Sequence, residues 1–199
     1  MGKREFDNAL AASGLEKDVE ITYHAYELRP NGLKEPTLTT MEEYAQKTNK
    51  PIASVKESFA SITERARRLG LAFNWDNMLA QDTHKAHSIA MYAAEKGKGR
   101  EFQERAFHAI FTDNLFLVDT EVLVQLARDI GLDEKEVRAV AENPHAYANQ
   151  FKRDRELAIT HGLRGVPHFL IHDTTIRGAQ PQIVLEEVLK KAATKAGIV

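Results

Sequence analysis

The sequence predicts an α/β fold in which a sheet domain is interrupted by a large all-helical insertion. Residues 19–25 alternate between apolar and polar side chains, which is typical of a strand. A short apolar run at 169–171 and the pair 176–177 predict two further strands. Residues 39–162 instead carry the apolar stripes of amphipathic helices. Strands at both ends, separated by helices, indicate one sheet domain with an all-α insertion.

The first elements are a helix and then a strand. Residues 3–12 place apolar side chains on one side of a helix, and Gly14 is a natural stop. The alternating segment 19–25 follows as a strand. Residues 29–32, Arg-Pro-Asn-Gly, then predict a loop.

The insertion reads as a succession of helices. Thr40 is predicted to cap the first of them, with Glu43 completing a capping box. Asp119 is predicted to cap a later one, which ends at Gly131. The predicted helices run from about 40 to 48, 55 to 69, 83 to 96, 102 to 111, 120 to 130, 137 to 141 and 144 to 161.

The pattern changes after Gly162. Gly165-Val166-Pro167 leads into the apolar run 169–171, residues 172–175 resemble a turn, and a second strand ends at Gly178. Pro181, at a first helical turn, opens the last helix. The predicted sheet domain therefore comprises 1–38 and 163–199, and the helical insertion comprises 39–162.

Composition excludes several classes of chemistry. The chain has 199 residues with 27 Lys+Arg against 29 Asp+Glu, so no general field attracts nucleic acid or an anionic membrane. No apolar run approaches the ~18 residues that cross a bilayer, and the first residues do not resemble a signal peptide. We therefore expect a cytoplasmic protein. The chain contains no cysteine, which excludes disulfides, Cys-ligated metals and a thiolate nucleophile within it.

Histidines are the remaining candidates for local chemistry. His84 and His87, three residues apart on a helix, share one face and could bind a metal with Asp82. The simpler interpretation is that Asp82 caps the helix and that His87 packs or hydrogen-bonds at the domain junction. No second cluster completes four ligands, so we predict neither a metal nor a cofactor. His161, before Gly162, is expected to favour a helix C-terminus as a cation.

Three segments of the chain match motifs of one known family. The segment Gly165-Val166-Pro167-His168-Phe169, together with Gly178-Ala179-Gln180-Pro181, is similar to the end of the FrnE-like proteins of the DsbA family. The segment 82–87, Asp-Thr-His-Lys-Ala-His, resembles their Asn-Thr-x-x-Ala-His, with Asp in place of Asn. Gly2-Lys3 resembles the pair that follows their second active-site cysteine. The resemblance covers the whole chain, and the combination is more specific than any one motif.

The resemblance implies a thioredoxin-like fold with a DsbA-type helical insertion. It implies a cis peptide bond before Pro167, with the backbone edge of Val166 as the docking point for an extended substrate. The substrate-binding residues that it implies are Gly165, Val166, Pro167, His87, Gly178 and Gln180.

The resemblance also places the family's first strand and its Cys-x-x-Cys immediately before Met1. The first strand of the fold is thus missing from this chain, and the chain as written is expected to be redox-inactive. We expect Met1 to be an internal methionine of a longer protein rather than a true start, because a fold seldom tolerates loss of a central strand.

Three function classes stay open at this point. The first is a thiol–disulfide oxidoreductase acting on protein or peptide thiols. The second is a glutathione-dependent isomerase or transferase that resembles 2-hydroxychromene-2-carboxylate isomerases or kappa-class transferases. The third is a non-catalytic peptide- or protein-binding module. The expected partners are a thiol or disulfide substrate, or a small thiol such as glutathione, and a homodimer stays open.

Overall fold

The computed structural model describes residues 1–30 and 32–198, which form a largely helical chain with a small sheet near its C-terminus. This architecture confirms the predicted α/β class with a helical insertion. No helix within the described ranges is both long and apolar enough to cross a membrane. The helices are α1 (Gly2–Ser13), α2 (Thr40–Thr48), α3 (Ile52–Arg68), α4 (His84–Glu95), α5 (Gly99–Phe111), α6 (Thr120–Asp129), α7 (Glu134–Glu142), α8 (Ala148–Thr160) and α9 (Gln182–Lys195), and the strands are β1 (His168–Ile171) and β2 (Thr174–Arg177).

The chain divides into two compact units. The first unit comprises Met1–Tyr26 and Lys152–Val199, and the second comprises Glu27–Phe151. The sequence places these divisions at 38/39 and 162/163, later in the chain at both points. Most of α8 therefore belongs to the first unit, where its buried Asp154 accepts hydrogen bonds from residues 24 and 25.

The core of the first unit lies between α1, α9 and the hairpin of β1 and β2. Phe6 and Leu10 of α1 pack with Leu185 and Leu189 of α9, and all four side chains are buried. Phe6 also stacks on Phe169, with ring centroids 5.5 Å apart. Truncating a buried leucine of this kind to alanine typically costs about 2–5 kcal/mol.

The hairpin has one face on this core and one face outside it. The strands are antiparallel, with His168 opposite Arg177 and Phe169 opposite Ile176. Phe169 and Ile176 contact the core, whereas Leu170, on the other face, is 41% exposed. The turn is tighter than the sequence indicates, because it consists of residues 172–173 and His172 adopts a positive φ of 54°.

The predicted strand at 19–25 is wrong, because this segment belongs to no ladder and the sheet contains β1 and β2 alone among the described residues. Val19 and Ile21 nevertheless pack against the core, as their alternation predicts. A strand needs a neighbouring backbone to supply its hydrogen-bond partners. Here the Ala25 N–H donates instead to the Asp154 carboxylate at 2.8 Å.

The second unit contains two apolar clusters. The larger one is built from α4 to α7 and includes Ile89, Phe102, Leu123 and Val137, all almost fully buried. The smaller one joins α2 and α3, and its members Met41, Val55 and Phe59 pack against Trp75. The Trp75 indole N–H donates to the Thr63 hydroxyl at 2.9 Å, which satisfies its polar atom.

The capping box of α2 lies one residue before its predicted position. Thr39, rather than Thr40, is the N-cap, and its side chain accepts from the Glu42 N–H while Glu42, rather than Glu43, accepts from the Thr39 N–H. Thr39 is extended and bridges to Leu79, which fixes the entry of the chain. The Thr40 N–H is already bonded to a carbonyl, that of Met78, at 2.7 Å.

Two other helices begin later than the sequence predicts. Helix α8 starts at Ala148 rather than near Pro144, because Tyr147 adopts a positive φ of 59° that ends the preceding turn. Pro181 is the extended N-cap of α9 rather than a residue of its first turn, with a φ of −60° and a ψ of 150°.

Candidate functional site at the proline loop

The loop at 165–167 presents backbone and apolar surface to solvent. The peptide bond between Val166 and Pro167 is cis, the isomer that the resemblance implies. Val166 is 47% exposed, and no atom lies within 4 Å of the position that a side chain on Gly165 would occupy. The loop is therefore open on the side of these two residues.

A second turn holds the loop in place. The Gly178 N–H donates to the Pro167 carbonyl at 2.9 Å, and Gly178 adopts a φ of 75° that favours glycine. The Gln180 amide donates to the Arg177 carbonyl at 2.8 Å. Five of the six candidate residues thus belong to two neighbouring turns of the first unit.

The first turn of α1 packs directly against this loop. A methyl group on Gly2 would lie 2.8 Å from Cβ of Pro167 and closer still to its Cγ, so only a glycine fits here without a shift. The first residue of α1 therefore lies against the proline ring. Gly2 is not among the six candidate residues predicted from the sequence, although its lack of a side chain is the available signal for close approach.

Glu5 links α1 to the start of α9. Its carboxylate is buried and accepts a hydrogen bond from the Gln182 N–H at 2.9 Å. Pro181, the N-cap of α9, supplies no side-chain cap, so Glu5 satisfies one of the unpaired N–H groups of that helix. A carboxylate at a helix N-terminus is also favoured by the helix dipole.

The sixth candidate, His87, lies in the second unit. It stands edge-on to Phe151, with ring centroids 6.5 Å apart, while His84 stacks on the same ring at 4.4 Å. The His84 ring nitrogen Nδ1 pairs with a Glu27 carboxylate oxygen at 2.9 Å, and the Asp82 carboxylate accepts from the His84 N–H at 2.7 Å. Thr83, rather than Asp82, is the N-cap of α4, but the Asp82 carboxylate still satisfies the N–H of the first residue of the helix.

These groups do not converge on a metal site. Across residues 1–30 and 32–198, no three His, Asp or Glu side chains are arranged to hold a metal ion. Glu27 and Phe151, which fix His84, were not candidates from the sequence, since neither belongs to a motif.

The first unit also contains a buried carboxylate that no sequence motif indicates. Asp154 is 3% exposed and accepts from the Ala25 N–H at 2.8 Å. Its other oxygen lies 2.8 Å from Nδ1 of His24. The pair fixes residues 24 and 25 to α8, which is a structural role for an acid that the sequence shows only as one charge on a polar helix.

His168, the residue after the proline, has an electropositive environment. Burial, and then the charges of Arg177 and His161, lower the pKa of its imidazole. A buried histidine near positive charge favours its neutral form. With no cysteine in residues 1–199, neutral polar groups and arginine are the chemistry that this part of the site offers.

Three comparisons place the chain among known proteins. A family model described as DSBA-like thioredoxin domain matches residues 1–190. YwbO, an uncharacterized protein of Bacillus subtilis (strain 168), is 27% identical over 203 residues, covering 98% of this chain and 91% of that protein. The crystal structure of a probable DsbA oxidoreductase from Streptomyces coelicolor superimposes with a TM-score of 0.91 at 29% identity, covering 98% of this chain and 84% of the other.

Proposed function

Because this chain belongs to the DSBA-like thioredoxin domain family, we propose that it forms the substrate-docking part of a FrnE-like thiol–disulfide oxidoreductase. In this proposal a cysteine pair immediately before residue 1 carries the thiol chemistry. Residues 1–199 contribute the proline loop, helix α1 and the helical unit. The similar protein from Streptomyces coelicolor is itself described as a probable DsbA oxidoreductase, which supports the class of reaction.

One observation carries the proposal: the first turn of α1 lies against the proline loop. Gly2, the first residue of α1, lies against Pro167, which supports a position beside the loop for the residues that would precede α1 in this proposal. A thiolate at that point would face a substrate docked on the loop. The N-terminus of a helix stabilises a thiolate through its dipole and its unpaired N–H groups.

The proposed reaction is an exchange between two dithiol–disulfide pairs. A substrate thiolate attacks the disulfide of the cysteine pair, forming a mixed disulfide and releasing one protein thiolate. The second substrate thiolate then attacks the substrate sulfur of the mixed disulfide and displaces the protein sulfur as a thiolate. The substrate leaves as a disulfide, oxidised by two electrons, and the cysteine pair remains as a reduced dithiol.

The test compares three proteins that differ only before residue 1. One is the chain as given; the others add a strand followed by Cys-Pro-Trp-Cys or by the matched control Ser-Pro-Trp-Ser. Insulin and glutathione disulfide reductase activity should appear in the Cys version alone, since the other two have no sulfur nucleophile. Both extended versions should melt at a higher temperature than the chain as given, because an added strand supplies backbone hydrogen-bond partners.

The outcomes separate the possibilities cleanly. Turnover by the chain as given, above the buffer blank, would contradict the proposal, and so would an inactive Cys version that is folded. Equal melting points for all three proteins would mean that the added strand has no place in the sheet. Translating the natural coding sequence upstream of the Met1 codon provides an independent check.

A further inference from the structure

The outer face of the hairpin carries an uncompensated positive charge beside the proline loop. His168 and Arg177 lie directly opposite each other on β1 and β2, on the face that Leu170 and Thr175 share. This face bears no acidic residue. Neither side chain can act as an acidic partner for the other, so their pairing provides no ion pair across the hairpin.

The end of α8 adds a third basic group to this face. A methyl group on Gly162 would lie 3.7 Å from an Arg177 guanidinium nitrogen, so the turn after α8 borders Arg177. His161, the residue before Gly162, is close enough to act on His168 electrostatically, and both it and Arg177 lower the His168 pKa. We call His161, His168 and Arg177 the cationic patch.

Two groups of the cationic patch have no partner within the described part of the chain. The Nε2 atom of His168 is buried without a hydrogen bond. The exposed guanidinium of Arg177 forms no ion pair or side-chain hydrogen bond among the described residues. A buried polar atom without a partner calls for an explanation, because native structures contain few of them. A bound acceptor is one such explanation.

We propose that the cationic patch binds a carboxylate group of the substrate that docks at Val166. A guanidinium fork matches a carboxylate in a bidentate pair, and a neutral imidazole can donate one further hydrogen bond. One arginine carries one permanent charge, which suits a singly charged carboxylate. The inference rests on the proposed function for the origin of the ligand, which is an acidic side chain of a polypeptide or a carboxylate of a small thiol such as glutathione.

The test measures binding rather than turnover. A fluorescein-labelled unstructured peptide with two glutamates is titrated with the chain at low ionic strength, and its anisotropy is compared with that of the same peptide carrying glutamines. Arg177→Gln should weaken binding of the Glu peptide about tenfold, the usual loss for one charge-assisted hydrogen-bonded pair. His168→Gln should weaken it less. Oxidised glutathione, added as a competitor, tests the small-ligand source.

Arg155→Gln is the matched control, since Arg155 is exposed on α8 and the substitution removes the same charge. It should leave the affinity unchanged. The proposal would be overturned if the chain bound the Glu and Gln peptides with equal affinity and oxidised glutathione had no effect. It would also be overturned if Arg155→Gln and Arg177→Gln lost equal affinity for the Glu peptide. Shifts of the His168 ring signals on titration of the unaltered chain provide a second readout if a variant is unstable. Because binding needs no thiol, a failure here is distinguishable from an inactive Cys-extended protein.

Discussion

Replacing Gly2 with alanine tests whether α1 and the proline loop are packed as tightly as the structure shows. The added methyl group would lie 2.8 Å from Cβ of Pro167 and 3.6 Å from the far ring carbon of Phe169. Carbon atoms attract best at about 3.5–4.0 Å. The methyl group therefore overlaps the proline ring, which has no flexible end to move aside.

The expected cost follows from two opposing effects. Forcing an extra methyl group into a packed position typically costs about 1–3 kcal/mol. Alanine is preferred over glycine within a helix by about 0.5–1 kcal/mol, which offsets part of that cost. We expect Gly2→Ala to lower the free energy of unfolding by about 1–2 kcal/mol, which corresponds to a fall in Tm of roughly 2–8 °C for a chain of this size.

Gly165→Ala is the matched control, because it makes the same substitution in the loop that Gly2 contacts. Nothing lies within 4 Å of the position of its new methyl group, and Gly165 does not require a positive φ. This variant should be neutral or more stable by up to about 1 kcal/mol, since alanine restricts the unfolded chain. Urea unfolding followed by circular dichroism measures both variants. A Gly2→Ala protein as stable as the parent would refute the packing of α1 on Pro167.

Three further predictions concern single side chains. Thr39→Ala should destabilise the second unit by about 0.5–2 kcal/mol through loss of the cap, measured by the fluorescence of Trp75, whereas Thr40→Ala should leave the cap of α2 intact. Asp154→Ala should cost about 1–3 kcal/mol because it leaves the part-buried Ala25 N–H without its carboxylate acceptor, and hydrogen exchange at the Ala25 amide should accelerate. Because the pKa of His168 is lowered in the folded chain, the unfolded chain binds more protons just below about pH 6.5. The stability that neutral His168 contributes is therefore present above that pH and is lost as the pH falls through the folded pKa. The free energy of unfolding, measured in urea between about pH 5 and 8, should depend less on pH in His168→Gln.

Local signals predicted the helices well. Asp119 caps α6 by accepting from the Glu121 N–H, and Gly14 and Gly131 adopt positive φ values just after their helices. Each of these features depends on residues within one turn of one another, so a single sequence contains the information. The capping box of α2 was displaced by one residue because its position depends on the bridge between Thr39 and Leu79, a contact between distant residues.

The residues of the first unit also differ in whether their role depends on sequence neighbours or on distant residues. Gly165, Val166, Pro167, Gly178 and Gln180 could be proposed from the sequence because they belong to two short motifs. Glu5 could not, since it caps a helix that begins 177 residues later. Asp154 could not either, because it binds the ring of a histidine 130 residues earlier in the chain. Buried acids of this kind carry no local pattern, and their partners become known only when the fold is known.

The segment at 19–25 shows what an alternating pattern does and does not specify. Alternation determines which side chains face the core, and Val19 and Ile21 do pack there while Glu20 and Thr22 are exposed. A strand also requires a neighbouring backbone at hydrogen-bonding distance, which depends on residues elsewhere. On β1, the edge away from β2 pairs with no other strand of the described residues. The first unit therefore contains a partly apolar segment outside any ladder and a strand edge without a strand partner among the described residues. The experiment proposed above tests whether an added strand pairs with that edge.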